Sequence, residues 1–457
     1  MTAVHRSSST PPNFLFILSD QHRADWLGCA GRVPIRTPQI DALAARGLRF
    51  TRAHCASPLC GPSRACLAAG VEYEQCGVPN HDFNFPADRT TYYRLLRDAG
   101  YRVGALGKLD LHKSTGDWGL DGRQHLHTWG FTDGQESAGG WDGITFGNGQ
   151  PLDPYMLHLQ QRGLITEHIA DFHRRHNYEG TFPTPLPDDA YQDSWIGGHA
   201  LEQIDALGPD QPWHLVVNFT GPHEPMDVTA DMHRWYRDPP VDLPPPSNAP
   251  ATEHDQEVRR NYAAKIEIID RWIGRLLERV AARGQMERTV VVYASDHGEM
   301  LGDRGRWAKS RPWWQSVMIP LVFAGPGVQR GVCNDPVSLI DVGATMLDLA
   351  GVKPAPAMTS RSLRPALQGG AGPRPQVRSG LGCWRMVSDR HYKLVAGFDP
   401  QMSGGFAHLP FDPAAAPPML FDVAADPAEQ RNIAAESAPV VKRMMALLTG
   451  AQGSGVI

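Results

Sequence analysis

Short apolar runs that alternate with helical stretches constrain this chain most. Phe14–Leu18, Leu48–Ala53, Tyr101–Leu106, Trp213–Phe219, Thr289–Ala294 and Met318–Gly325 read as strands. Thr37–Gly47, Thr90–Asp98, Asp189–Leu207, Glu257–Ala282 and Asp341–Ala350 read as helices. Thr37 and Pro38 suit an N-cap and first helical position, and Gly47 suits the residue past the end. Such alternation predicts an α/β fold. Four of the runs break off at polar residues: Asp20-Gln21, Lys108, His223 and Asp296-His297. Ligands of parallel sheets gather at the carboxyl ends of strands, which makes these residues the first candidates for a site.

The stretch Cys60-Gly61-Pro62-Ser63-Arg64-Ala65-Cys66-Leu67-Ala68-Ala69-Gly70 reads as a loop turning into a helix, with Pro62 at the first helical position. Cys60 then sits at a helix N-terminus, where backbone N–H groups favour negative charge, and Arg64 stands one turn behind. A nucleophile that attacks an anionic ester would be well placed there. The pattern Cys-x-Pro-Ser-Arg-x-x-Leu-x-x-Gly at 60–70 resembles the signature of the type I sulfatases, within the alkaline phosphatase superfamily. Its fixed positions match by chance at on the order of one in ten million sites, at average residue usage. The resemblance implies that Cys60 is oxidised after translation, by a formylglycine-generating enzyme, to Cα-formylglycine. The hydrated aldehyde of that residue is the family's nucleophile.

Other motifs extend the resemblance from residue 13 to about 433. It implies that Asp20, Gln21, Asp296 and His297, with an oxygen of the modified Cys60, hold one divalent cation. A mainly oxygen set with one imidazole suits Ca²⁺, Mg²⁺ or Mn²⁺. Lys108 and Lys309 are implied to bind the anionic oxygens, with Arg64 offsetting further charge. His223, within Pro222-His223-Glu224-Pro225, would lie near the leaving-group oxygen, where an imidazole can pass a proton to a departing alkoxide. One departure stands out. The family commonly has Gly-Lys-x-His, whereas here Gly107-Lys108-Leu109-Asp110 is followed by His112. Either His112 reaches into the site from a rearranged loop, or the role is altered. The implied fold is alkaline phosphatase-like: a large mixed, mostly parallel sheet flanked by helices, plus a small C-terminal α+β subdomain with an antiparallel sheet.

The 457 residues divide into a polar tail at 1–12, a catalytic domain at 13–370 and a C-terminal subdomain at 371–457, with a Pro- and Gly-rich boundary near 353–378. Periodicity weakens over 113–190, which is expected to be an irregular, substrate-shaping insertion. A net charge of −5 offers no basic field for nucleic acid or an anionic membrane. The apolar run Phe14–Leu18 is too short for a signal-peptide core or a span. The seven cysteines are odd in number and lack zinc-type pairing. Apart from Cys60 they read as free thiols in a reducing compartment, which makes the cytoplasm the default location. A homo-oligomer is left open.

The expected activity is hydrolysis of a small-molecule sulfate monoester, with aryl, choline, sugar and steroid leaving groups all allowed. The closest alternative is a phosphonate monoester or phosphate diester hydrolase on the same site. A binding protein whose Cys60 is never converted is the alternative from another class.

Overall fold

A computed structural model describes residues 11–450. Most of the tail expected at 1–12 therefore lies outside the described residues. Strand β1 (Asn13–Asp20) is the axis of the fold, and every one of its residues is buried. Successive side chains point to opposite faces of a strand. Phe14, Phe16 and Leu18 accordingly enter one hydrophobic cluster, while Leu15 and Ile17 enter another. A strand covered on both faces reads as an unbroken apolar run, which is why no polar alternation marks it.

Around β1 lie β2 (Leu48–His54), β3 (Arg102–Gly107), β4 (Asp133–Glu136), β5 (Trp213–Pro222), β6 (Thr289–Ser295), β7 (Met318–Ala324), β8 (Gly331–Cys333) and β9 (Val337–Ser338). They form a nine-stranded sheet in the order β4-β3-β5-β1-β6-β7-β2-β8, with β9 also paired to β2. Only β7 is antiparallel to its neighbours, β6 and β2; the other pairings are parallel. This is the mixed, mostly parallel sheet expected from the sequence.

The helix Glu253–Ala282 covers one face, burying Ile269, Ile273, Leu276 and Val280 at one-turn spacing. It starts earlier than the expected Glu257. The cause is a capping box: Asp255 N–H donates to Thr252 Oγ1 at 3.2 Å, and Thr252 N–H donates to Asp255 Oδ2 at 2.7 Å. The helices Cys60–Ala69, Tyr92–Asp98 and Asp341–Leu349 cover the other face.

A second sheet joins β10 (Val377–Leu381), β11 (Trp384–Ser388), β12 (Tyr392–Ala396) and β13 (Met419–Asp422), antiparallel throughout. Val387, Leu394 and Leu420 on one of its faces pack against the terminal helix Ala438–Thr449. Met386, Val395 and Phe421 on the other belong to the same cluster as Phe14 and Phe16, which fastens the small sheet to the large one.

The segment 113–190 differs from the expected irregular insertion. It holds edge strand β4 and the helices Gly140–Gly147, Pro154–Gln161 and Ile165–Arg175. The longest has 11 residues. The first two have eight residues each and begin at a glycine and a proline, which gives too few turns for a legible hydrophobic period. Among the described residues no helix is long and apolar enough to cross a membrane.

Phe16 is fully buried at the centre of β1. Phe16→Ala should therefore cost about 3–5 kcal/mol, seen as a fall in melting temperature and in denaturant midpoint.

Candidate active site

The sheet brings the ends of β1 and β6 side by side, with Ser19 in register with Ser295. Asp296 N–H donates to Ser19 O at 3.2 Å, and Gln21 N–H donates to Asp296 Oδ1 at 3.0 Å. Gln21 takes a left-handed φ of 68°, which turns the chain sharply off the strand. Asp20 and Asp296 thereby project together from neighbouring parallel strands.

The helix Cys60–Ala69 lies over them, buried along its whole length. It begins at Cys60 itself, so Pro62 is the third helical residue rather than the first. It remains in the first turn, where a missing N–H leaves no helical bond unmade. Ser63 Oγ donates to Asp296 O at 2.6 Å. Arg64 Nε donates to Asp296 Oδ2 at 2.9 Å, and its terminal nitrogen reaches Asp20 Oδ2 at 3.4 Å. One turn back, Cys60 Sγ stands 3.1 Å from His297 Nε2 and 3.7 Å from Asp20 Oδ1.

Donor atoms of Asp20, Cys60, Asp296 and His297 all lie within 4.8 Å of one another, and all four residues are buried. His297 Nδ1 is 3.0 Å from Gly298 O. A carbonyl can only accept, so Nδ1 carries a proton and Nε2 turns toward the cluster, the arrangement typical of a metal-binding imidazole. Burial works against a charged His297, yet Asp296 and Cys60 raise its pKa. The same negative potential would be offset by a cation, and two carboxylates with one imidazole fit a divalent ion of the hard or borderline kind.

Gln21 stands at the rim of this set. Its amide nitrogen donates to Glu224 Oε2 at 2.6 Å, to Tyr178 Oη at 3.1 Å and to Glu299, while its oxygen accepts from Lys309.

Cations surround Cys60. Lys108 leaves β3 through Gly107, whose φ is 81° and whose absent Cβ would fall 2.0 Å from Asn218 O, so only glycine fits. Lys108 Nζ lies 2.5 Å from Asp20 Oδ2 and 3.3 Å from Asp110 Oδ2. Lys309 contacts His223 Nε2 from the other side. His223 Nδ1 is held 2.6 Å from Glu224 O, so its proton is on Nδ1 and Nε2 is the lone-pair atom when the ring is neutral. Burial opposes a Cys60 thiolate, but Lys108, Lys309 and His297 outweigh it and hold this thiol well below its ordinary value. Burial and Cys60 likewise push Asp20 up, and Lys108, His223 and Arg64 reverse the effect to leave it below the usual carboxylate range.

The small sheet braces this region. Trp384 Nε1–H donates to Ser310 O at 3.1 Å, next to Lys309. Gly380 N–H donates to Ala56 O at 3.1 Å, in the loop before Cys60.

His112 corrects one expectation. It does not reach Cys60: its Nδ1 lies 3.0 Å from Asp117 Oδ1 and its Nε2 lies 2.8 Å from Glu136 Oε2. Burial lowers its pKa, but Glu136 and Asp117 more than reverse this and raise it to about 9. A carboxylate at the end of β4 has drawn the ring away. His81 stands in the gap. Gly61 N–H donates to His81 Nε2 at 3.4 Å, and donor atoms of Cys60, His81 and Asp110 lie within 4.8 Å of one another. Burial and nearby Lys113 depress the His81 pKa, favouring the neutral ring. Sequence reasoning missed His81, which follows no strand and lies in an Asn-His-Asp loop. The only hint was Asp110 at the position where an imidazole was expected.

A cavity of about 320 Å³ opens over these groups. His81, Lys108, His223 and Lys309 line it at the Cys60 end. Residues 139–177, among them Trp141, Tyr155, Phe172 and Arg175, supply much of the remaining wall.

Comparison with known proteins agrees with this architecture. The family model named Sulfatase matches residues 12–352. A choline-sulfatase of Rhizobium meliloti (strain 1021) is 28% identical, covering 93% of this chain and 82% of that protein. An N-acetylglucosamine-6-O-sulfatase of Bacteroides thetaiotaomicron is 25% identical, covering 96% of this chain and 86% of that protein. Among solved structures, a phosphonate monoester hydrolase from Silicibacter pomeroyi superposes with a TM-score of 0.79 at 24% identity, covering 96% of this chain and 95% of that one. That last likeness is one of fold. With the family model spanning most of its length, the chain belongs to the sulfatase family and is a sulfuric ester hydrolase.

Proposed function

We propose that this chain hydrolyses sulfate monoesters at position 60, with Cys60 converted to Cα-formylglycine and one divalent cation held by Asp20, Asp296, His297 and the modified residue 60. The observation that carries the reading is the meeting, at one end of the cavity, of the four-donor cluster with Lys108 and Lys309. In this reading Cys60 Sγ marks the place of the formylglycine oxygens. When present, the hydrated aldehyde supplies an oxygen nucleophile, and the cation lowers the cost of its charge.

The chain's own residues do the rest. Lys108 and Lys309, facing the cavity from opposite sides, hold the anionic oxygens of the ester and offset charge on the transferring group. Arg64 bridges Asp20 and Asp296 and offsets their like charge. His223, its Nδ1–H fixed on Glu224 O, acts as the general acid when doubly protonated, passing the Nε2 proton to the leaving oxygen and returning to the neutral ring. His81 Nε2 accepts a hydrogen bond beside residue 60 and takes the place of the histidine that Asp110 displaces. The Gln21 oxygen, which accepts from Lys309, would be a further ligand for the cation.

A second reading, hydrolysis of phosphonate monoesters or phosphate diesters, draws on the same arrangement. Asp110 in the place of an imidazole is the feature that favours it.

Three outcomes are expected. Cys60→Ala and Cys60→Ser keep the wild-type melting temperature and lose almost all turnover, and active protein has an intact mass about 18 Da below that calculated for cysteine, because sulfur and two hydrogens give way to one oxygen. A fully active Cys60→Ala protein would overturn the assignment. His81→Ala lowers kcat by on the order of 100-fold or more at an unchanged melting temperature. On converted protein, kcat/KM for an aryl sulfate exceeds that for a phenyl phosphonate, and the reverse order favours the second reading.

A further inference from the structure

The ring that left the catalytic cluster takes part in another. Donor atoms of His112, Asp117 and His125 lie within 4.8 Å of one another. His112 Nδ1 is 3.0 Å from Asp117 Oδ1, and His125 Nε2 is 2.8 Å from Asp117 Oδ2. The two imidazole centroids are 4.4 Å apart. Behind His112, its Nε2 meets Glu136 Oε2 at 2.8 Å, and Glu136 is buried.

Carboxylates flank both ring nitrogens of His112, so positive charge is favoured between them. A proton kept on Nε2 for the buried Glu136 leaves Nδ1, on the side of Asp117 and His125, as the nitrogen open to an ion. A second proton on His112 would supply that charge from one ring alone. A metal ion would take it from the whole group, using both imidazoles and the carboxylate. A buried carboxylate behind a histidine is the arrangement that orients metal-bound imidazoles. Donors around tetrahedral Zn²⁺ sit roughly 3.3 Å apart, close to the two imidazole–carboxylate distances of 3.0 and 2.8 Å. Trp118 and Trp129 wall off the inner side, with ring centroids 5.9 and 5.3 Å from that of His112. Asp117 and His125 remain partly exposed, which leaves an entry path and room for a water ligand.

We infer that His112 Nδ1, Asp117 and His125 Nε2 form a second metal site, separate from the Cys60 cluster, for Zn²⁺ or a similar borderline ion. Two imidazoles and one carboxylate suit such an ion better than Ca²⁺ or Mg²⁺. The role is structural. The site closes the loop 112–125, whose Lys113 lines the cavity and pairs with Asp142 at 2.8 Å. Metal here would steady a charged wall of the substrate cavity.

The test uses the full chain, stripped with chelator and resupplied with excess Ca²⁺, then titrated with Zn²⁺ by calorimetry and metal analysis. Wild type should bind one further Zn²⁺ per chain with a rise in melting temperature. His125→Ala and Asp117→Asn should bind it at least tenfold more weakly. Co²⁺ should give the visible bands of a four-coordinate site in wild type and lose them in His125→Ala. Melting in chelator reports whether each variant folds, and Asp117→Asn keeps the shape of the side chain if His125→Ala does not fold. No further Zn²⁺ in wild type, or equal uptake by wild type and both variants (as adventitious thiol binding would give), overturns the inference and leaves His112 as an imidazolium between two carboxylates.

Discussion

The guanidinium of Arg64, only 3% exposed, lies against the carboxylates of Asp20 and Asp296. Parallel pairing of β1 with β6 forces those two acids together at adjacent strand ends, where their like charges would repel strongly in a low-dielectric interior. Arg64 offsets that repulsion, and burial with the two carboxylates in turn fixes it in place. Because Arg64 follows Cys60 by one helical turn, the same ion pairs set Cys60 above the strand ends. Removing one partner would strand a buried charge, which costs far more than the pair contributes.

Charge at the site is arranged around an anion. Lys108 rests on Asp20, and Lys309 rests on Gln21 and His223. Both lysine pKa values are raised: burial disfavours the ammonium, but Asp110 with Asp20 at Lys108, and Cys60 with Glu224 at Lys309, outweigh it. The lysines therefore remain charged in a largely enclosed space. An entering sulfate ester would exchange these internal contacts for its own oxygens, with little reorganisation of the surrounding dipoles.

Neither the small sheet nor the 113–190 segment contributes to the four-donor cluster, yet both shape the site. Trp384 and Gly380 tie the small sheet to the loops that carry Lys309 and Cys60. The short helices of 113–190 supply much of the cavity wall away from Cys60.

The sequence by itself marked strands β1, β2, β3, β5, β6 and β7, because each is an apolar run, though not the polar edge strand β4, and it marked the turn into the 60–69 helix, because Cys60, Pro62 and Arg64 are local choices. It also marked Asp20, Lys108, His223 and Asp296, since each lies shortly beyond the end of an apolar run. Only the tertiary structure decided which histidine takes the place beside Cys60 that Asp110 leaves without a ring. His112 is nearer in sequence to the expected position, but Glu136 on a neighbouring strand and Asp117 compete for its ring and win. His81 arrives from a loop with no local signal and accepts from the Gly61 N–H, which has no intrahelical partner because it lies in the first turn of the helix. Local propensity is written residue by residue, whereas the choice between two rings depends on charges brought together by strand pairing, and that pairing spans distances no sequence window contains.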